Sequence, residues 1–142
     1  MKRVKDILSA KGGETWSIGP DDSVYAAIHL LADKQVGALV VTDGDRMVGI
    51  ISERDYARQI ILKGRSSENT LVKDIMSGNV ITATPGQDIQ ICMQLMTEKR
   101  IRHLPIIDAD KLVGMISIGD LVRAIIADQE STIGDLEKYI SG

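Results

Sequence analysis

Two short stretches carry the residue types that could do chemistry. Ser52-Glu53-Arg54-Asp55 and Ser117-Ile118-Gly119-Asp120 each set a hydroxyl three residues ahead of a carboxylate. Each follows an apolar run, residues 47–51 and 112–116, and opens an amphipathic stretch. That pattern predicts a buried strand feeding straight into a helix. Such a junction presents free backbone N–H groups and a positive dipole end, which suit a phosphate or a sugar hydroxyl. The same spacing also reads as a capping box, although Glu or Gln is more usual in the last place. The two readings are compatible, because a capped helix start is also an anion site. A third group is Lys99-Arg100-Ile101-Arg102-His103. Lys99 and Arg100 read as cations at a helix C-terminus. Arg102 and His103 fall at the start of a strand and suit a phosphate better.

Other chemistries lack their residues. Cys92, the one cysteine, lies on an apolar stripe and reads as a buried structural thiol, which also excludes an internal disulfide and points to a reducing compartment. His29 and His103 are far apart in sequence with no His/Cys cluster, so no metal site is expected. Gly44-x-x-x-x-Gly49 has phosphate-loop spacing but no Lys-Ser/Thr after it, and no Gly-x-Gly-x-x-Gly occurs. Met93, Met96 and Met115 read as core filler. With no Ser/His/Asp grouping and no activated Cys, the chain reads as a non-enzyme with no catalytic cofactor.

The elements that position these residues come in two copies. Val48/Val113, Gly49/Gly114, Ile51/Ile116, Ser52/Ser117, Asp55/Asp120 and Arg58/Arg123 match at a constant offset of 65. Pro20/Pro85, Leu30/Leu95, Lys34/Lys99, Leu39/Leu104, Asp43/Asp108 and Asp45/Asp110 extend the register. Val4-Lys5-Asp6-Ile7 matches Val72-Lys73-Asp74-Ile75 at an offset of 68. Each copy reads as a short helical turn, then β-α-β-β-α. The strands are expected at 15–18, 38–41 and 47–51, and again at 80–84, 104–107 and 112–116. The first helix carries Val24, Ala27, Ile28 and Leu31 in one copy, and Ile89, Cys92, Met93 and Met96 in the other, at amphipathic spacing. Asp43-Gly44-Asp45 is a hairpin turn, and Gly64 suits a helix C-terminus. The expected organisation is repeat one at 1–66, repeat two at 67–128, and a tail at 129–142. In that tail Ile133, Leu136 and Ile140 predict a short separate helix capped by Ser131 or Thr132, docked on the body or on a second chain.

Composition narrows the class. Apolar residues make up 44% and charged residues 26%, the balance of a globular protein, and the absence of Phe makes the core aliphatic. A net charge of −3 argues against nucleic acid. No apolar run approaches the ~18 residues of a membrane span. Lys2-Arg3-Val4-Lys5-Asp6 has no apolar segment typical of a signal peptide, so the expectation is cytoplasmic.

Asp74-Ile75-Met76, Arg102-His103-Leu104-Pro105-Ile106 and the two Gly-x-x-Ser-x-x-Asp stretches, in this doubled setting, resemble a tandem pair of cystathionine-β-synthase-type (CBS) domains, the Bateman module. Within that family the chain is similar to small stand-alone bacterial CBS-pair proteins. The resemblance implies an α/β (α+β) fold of two β-α-β-β-α repeats packed with pseudo-twofold symmetry. It further implies two clefts for adenosine-type ligands, and a homodimer of paired modules. Mapped onto this sequence, Asp55 and Asp120 would take ribose hydroxyls. Ser52, Arg54, Ser117, Arg102 and His103 would lie at the phosphate. Thr15, Trp16 and Val36, and Val80, Ile81 and Ile101, would line adenine slots, with the pairing of strand residues to each Asp left open. The first repeat has Gly37-Ala38 where the second has Arg102-His103, a departure that sets the two clefts apart. The implied function is a sensor of AMP or NAD(H), in signal transduction or energy sensing, that signals occupancy by a conformational change. The rival reading is a scaffold with degenerate clefts that regulates a partner enzyme or transporter.

Overall fold

The computed structural model describes residues 2–141. In chain order its elements are α1 (Val4–Lys11), β1 (Ser17–Ile18), α2 (Val24–Lys34), β2 (Ala38–Asp43), β3 (Arg46–Ser52), α3 (Glu53–Tyr56), α4 (Ile89–Lys99), β4 (His103–Asp108), β5 (Lys111–Ser117) and α5 (Ile118–Ser141). A π-helical turn, Ala57–Ile61, continues α3, and a 3₁₀ turn spans Val72–Asp74. The chain forms two compact units. One is Thr15–Ile81; the other joins Met1–Glu14 to Thr82–Gly142.

In the unit Thr15–Ile81, β1 runs parallel to β2, and β2 pairs antiparallel with β3, placing Ala38 opposite Ser52. The hairpin turns at Gly44, whose φ of 63° is the left-handed conformation that glycine adopts without steric cost. Ser23 caps α2 by accepting the Ala26 N–H at 3.1 Å. Val24, Ala27 and Leu31 of α2 are buried with Leu39, Val41, Ile51, Ile60, Val72 and Ile75. Gly64, at φ 64°, closes the helical run after the π turn, as the sequence predicts.

The other unit repeats the plan. β4 and β5 pair antiparallel, with His103 opposite Ser117. Here the expected strand at 80–84 reduces to one parallel bridge, Ala83 to Ile106, and its counterpart at 15–18 shortens to Ser17–Ile18. Asp88 caps α4, accepting the Gln90 N–H at 2.7 Å. Ile89, Cys92 and Met96 of α4 are buried, along with Leu104, Ile106, Ile116 and Leu121.

The compact units are cut differently from the sequence repeats. α1 opens the first repeat but folds with the second, the Val4 and Lys5 N–H groups donating to the carbonyls of Gln87 and Pro85 at 2.9 Å. Val72–Asp74 lies at the start of the second repeat but folds with the first, Val72 and Lys73 donating to Asp22 and Pro20 at 2.9 and 3.0 Å. α1 is also longer than the expected turn, running to Lys11.

The tail differs from expectation as well. No break or cap occurs at Ser131 or Thr132, and α5 is one helix of 24 residues. The Thr132 hydroxyl donates to the Asp128 carbonyl at 3.1 Å, so it is spent along the helix instead of capping a new one.

Candidate ligand-binding site

Hairpin register and capping together build the site in each unit. Because Ala38 lies opposite Ser52 and His103 opposite Ser117, the start of each hairpin's first strand sits beside the junction where its second strand becomes a helix. Backbone bonds fix that proximity: Glu53 N–H to the Gly37 carbonyl at 3.1 Å, and Ile118 N–H to the Arg102 carbonyl at 2.9 Å.

At the first junction Ser52 and Asp55 form a reciprocal capping box. The Asp55 Oδ2 accepts the Ser52 N–H at 2.8 Å and its hydroxyl at 3.0 Å, and the Asp55 N–H donates to Ser52 Oγ at 3.3 Å. The second junction repeats the box, with Ser117 N–H to Asp120 Oδ2 at 2.8 Å and Asp120 N–H to Ser117 Oγ at 3.1 Å. The capping reading of both motifs is therefore correct, with Asp in the place usually held by Glu.

Two cations missed at the sequence level converge on Asp120. Lys11 Nζ donates to Oδ2 and Arg123 Nη2 to Oδ1, both at 2.8 Å, and Lys11 also reaches the Met115 carbonyl at 3.0 Å. The Asp120 side chain is only 11% exposed. Burial alone would push its pKa up. The Lys11 hydrogen bond, the Ser117 N–H and the Lys11 charge outweigh it and hold the carboxyl below its usual 3.8. Beside it opens a cavity of about 330 Å³, floored by Ile7 and Ala10 and edged by Lys2, Lys11 and Arg123 against Asp6 and Asp120. Three cations face two carboxylates there, which favours an anionic occupant. Arg123 had a signal in the sequence, since the Arg58/Arg123 match lies three residues past each Asp. Lys11 had none, because it arrives from a helix 109 residues away.

His103, half-buried at the start of β4, resists protonation. Burial lowers its pKa below 6.5, the charges of Lys11 and Arg102 lower it further, and Asp120 opposes them in part. In the ligand-free chain it is neutral at pH 7. Arg102 lies on the same edge and is exposed.

The remaining candidates divide between the units. Thr15, Trp16, Val36, Val80 and Ile81 belong with Ser52, Arg54 and Asp55, whereas Ile101 belongs with Arg102, His103, Ser117 and Asp120. Trp16 packs against the core of its unit, as does Val36. Its carbonyl accepts the Val40 N–H at 3.2 Å, and Lys34 Nζ lies 4.2 Å from the indole centroid, a cation–π contact also missed in the sequence. Thr15, Val80, Ile81 and Ile101 are partly exposed. Arg54 is exposed on α3.

Cys92 is buried within α4, and desolvation with the nearby Asp88 charge pushes its thiol pKa up, which suits packing and not nucleophilic attack. Among the described residues no group of three or more His, Cys, Asp or Glu could hold a metal ion. No described helix is long and apolar enough to cross a membrane.

The doubled β-hairpin with a capped Ser-x-x-Asp junction has known counterparts. The model of the CBS domain matches residues 4–62 and again 72–127. The chain belongs to the CBS domain family. Among its relatives is the mitochondrial CBS domain-containing protein CBSX3 of Arabidopsis thaliana, 42% identical over 148 residues, covering 98% of this chain and 72% of that protein. A protein with CBS domains from Burkholderia ambifaria MC40-6 superposes with a TM-score of 0.87 at 50% identity, over 90% of this chain and 96% of the other. The CBS domain pair of protein MJ0100, solved in complex with 5′-methylthioadenosine and S-adenosyl-L-methionine, superposes with a TM-score of 0.77 at 25% identity, over 87% and 99% of the two chains.

Proposed function

We propose that this CBS domain pair is a regulatory sensor that binds an adenosine-type nucleotide, AMP or NAD(H), and signals occupancy by a change of shape. The observation that carries the reading is the twin Ser-x-x-Asp junction, which holds one partly buried carboxylate at the head of a helix in each unit. A carboxylate offers about four acceptor positions, so Asp55 and Asp120 can serve their caps and still receive ribose hydroxyls. Ser52, Arg54, Ser117, Arg102 and His103 act on the phosphate, and the cationic edge of Lys11 and Arg123 adds to them. Thr15, Trp16, Val36, Val80, Ile81 and Ile101 take the adenine. The two ligands in the MJ0100 complex are both adenosine derivatives, which supports the class of ligand. The protein acts in the cytoplasm as a homodimer and is not itself a catalyst. A scaffold reading draws on Ile61 and Leu62, which expose 60% and 78% of their surface and suit a partner protein.

Native mass spectrometry of freshly purified protein tests the sensor reading. The expected spectrum carries a retained adenosine-type mass, or gains one on adding AMP or NADH. A chain that stays empty in the presence of both overturns the reading and leaves the scaffold.

A further inference from the structure

From Val122 to Ile140, α5 carries an apolar stripe that its own unit does not cover. Val122, Ile126, Ile133, Leu136 and Ile140 are exposed by 43% to 82%. With Gln129 they fall at alternating steps of four and three, the heptad spacing that brings two helices together along a seam. The side of α5 turned to the unit is a different one: Leu121 is buried, and Ala124, Ile125 and Asp128 are partly so. Beyond Asp128 the helix also contains Ser131, Thr132 and Gly134, weak helix formers in its middle. A solvated segment of that composition needs packing to persist as a helix.

We infer that α5 pairs antiparallel along this stripe with the same helix of a second copy of the chain. The stripe is complementary to its own reverse. Set antiparallel, Val122 meets Ile140, Ile126 meets Leu136, and Gln129 meets Ile133. The flanking charges choose the same direction. Arg123 of one copy then faces Glu137 of the other, twice by symmetry, and Tyr139 covers Ile125. A parallel pair would stack Gln129 on Gln129 inside the seam and bring no carboxylate to Arg123. Glu130 meets its own copy near the axis, the one repulsive contact of the antiparallel arrangement. The apolar seam of this pairing makes no use of a nucleotide; Arg123 alone is shared with the proposed phosphate edge.

Disulfide trapping of the full chain without nucleotide reads the direction. Equal amounts of Ile126→Cys and Leu136→Cys chains are mixed in a glutathione redox buffer; Cys92 is fully buried and does not compete. Antiparallel pairing predicts that the mixed 126–136 dimer exceeds both self-linked dimers at least tenfold. Dominant self-linked 136–136 dimers would show a parallel pair. The statistical mixture, with the mixed dimer only twice as abundant as each self-linked dimer, or no product at all, would show no specific pairing. Each of those results overturns the inference. In sedimentation, Ile133→Asp should abolish the trapped species in the same cysteine background, and Glu130→Gln should raise its yield. An unchanged yield in both would also reject the seam.

Discussion

Asp120 is held by a backbone N–H, an ammonium and a guanidinium, so in the ligand-free chain its negative charge is already answered. A nucleotide that engages this carboxylate must share it with Lys11 and Arg123, and its phosphate gives those cations a second anion. His103 is the residue whose titration reports this. Half-buried, and faced by Lys11 and Arg102, it resists protonation until its lowered pKa is reached. A phosphate at the same edge raises that pKa, so the complex binds a proton that the free chain does not. Affinity for AMP should therefore rise as pH falls from the raised pKa of the complex toward the lowered pKa of the free chain. His103→Ala should flatten that slope. Arg102→Ala should weaken AMP strongly and adenosine little, because adenosine has no phosphate to lose. Calorimetry with both ligands separates the cases, and equal losses would remove these residues from the phosphate. Stability moves with pH in the same direction for both groups. The unfolded chain protonates His103 first, so stability falls as pH drops through 6.5 toward the lowered folded value. The contribution of Asp120 persists above 3.8 and is lost as pH falls through its lowered folded value. At this scale Ser52, Asp55, Ser117 and Asp120 were legible, because the motif and its helix are local in sequence. Lys11 was not, since only the fold of α1 onto the second repeat brings it to Asp120.

At the scale of elements, the matched glycines Gly49 and Gly114 mark where each strand is crossed by a segment from outside its own hairpin. A Cβ on Gly49 would stand 2.6 Å from Met76 Sδ and 2.8 Å from the Ser77 carbonyl oxygen. That carbonyl is fixed, because Ile50 donates to it at 3.0 Å and accepts from Ser77 at 2.9 Å. On Gly114 the nearest atom is Leu8 Cδ2 at 2.5 Å, the free end of a flexible side chain. Gly49→Ala should therefore cost about 1–3 kcal/mol, as overpacking does. Gly114→Ala should cost less, because Leu8 can change rotamer. Thermal unfolding of the two variants reads the difference, and an equal or reversed order would contradict this packing. The hairpins and amphipathic helices were legible in the sequence because their period and turn residues are local. The tail was not, because Ser131 and Thr132 look like caps, whereas the stripe from Val122 to Ile140 runs through them without a break. The initial turns gave no sign of which repeat they fold with, since either repeat presents equivalent backbone groups.

At the scale of the whole molecule, two near copies carry two unequal strand-to-helix junctions. The second repeat gathers Lys11, Arg102, His103 and Arg123 around its junction, whereas the first has Gly37-Ala38 at the start of its hairpin and an indole under Lys34. Under the proposed function this asymmetry would let one site read phosphate strongly and the other weakly. Under the proposed function both carboxylates receive a ribose. Titration calorimetry of AMP into the intact chain, into Asp55→Ala and into Asp120→Ala tests that most directly, with thermal melts confirming that each variant is folded at the assay temperature. Loss of a hydrogen bond to a charged acceptor, about 1.5–3 kcal/mol, predicts a roughly ten- to hundredfold weaker site in each variant. Unchanged AMP binding in both folded variants would contradict the account and leave Asp55 and Asp120 as helix caps alone.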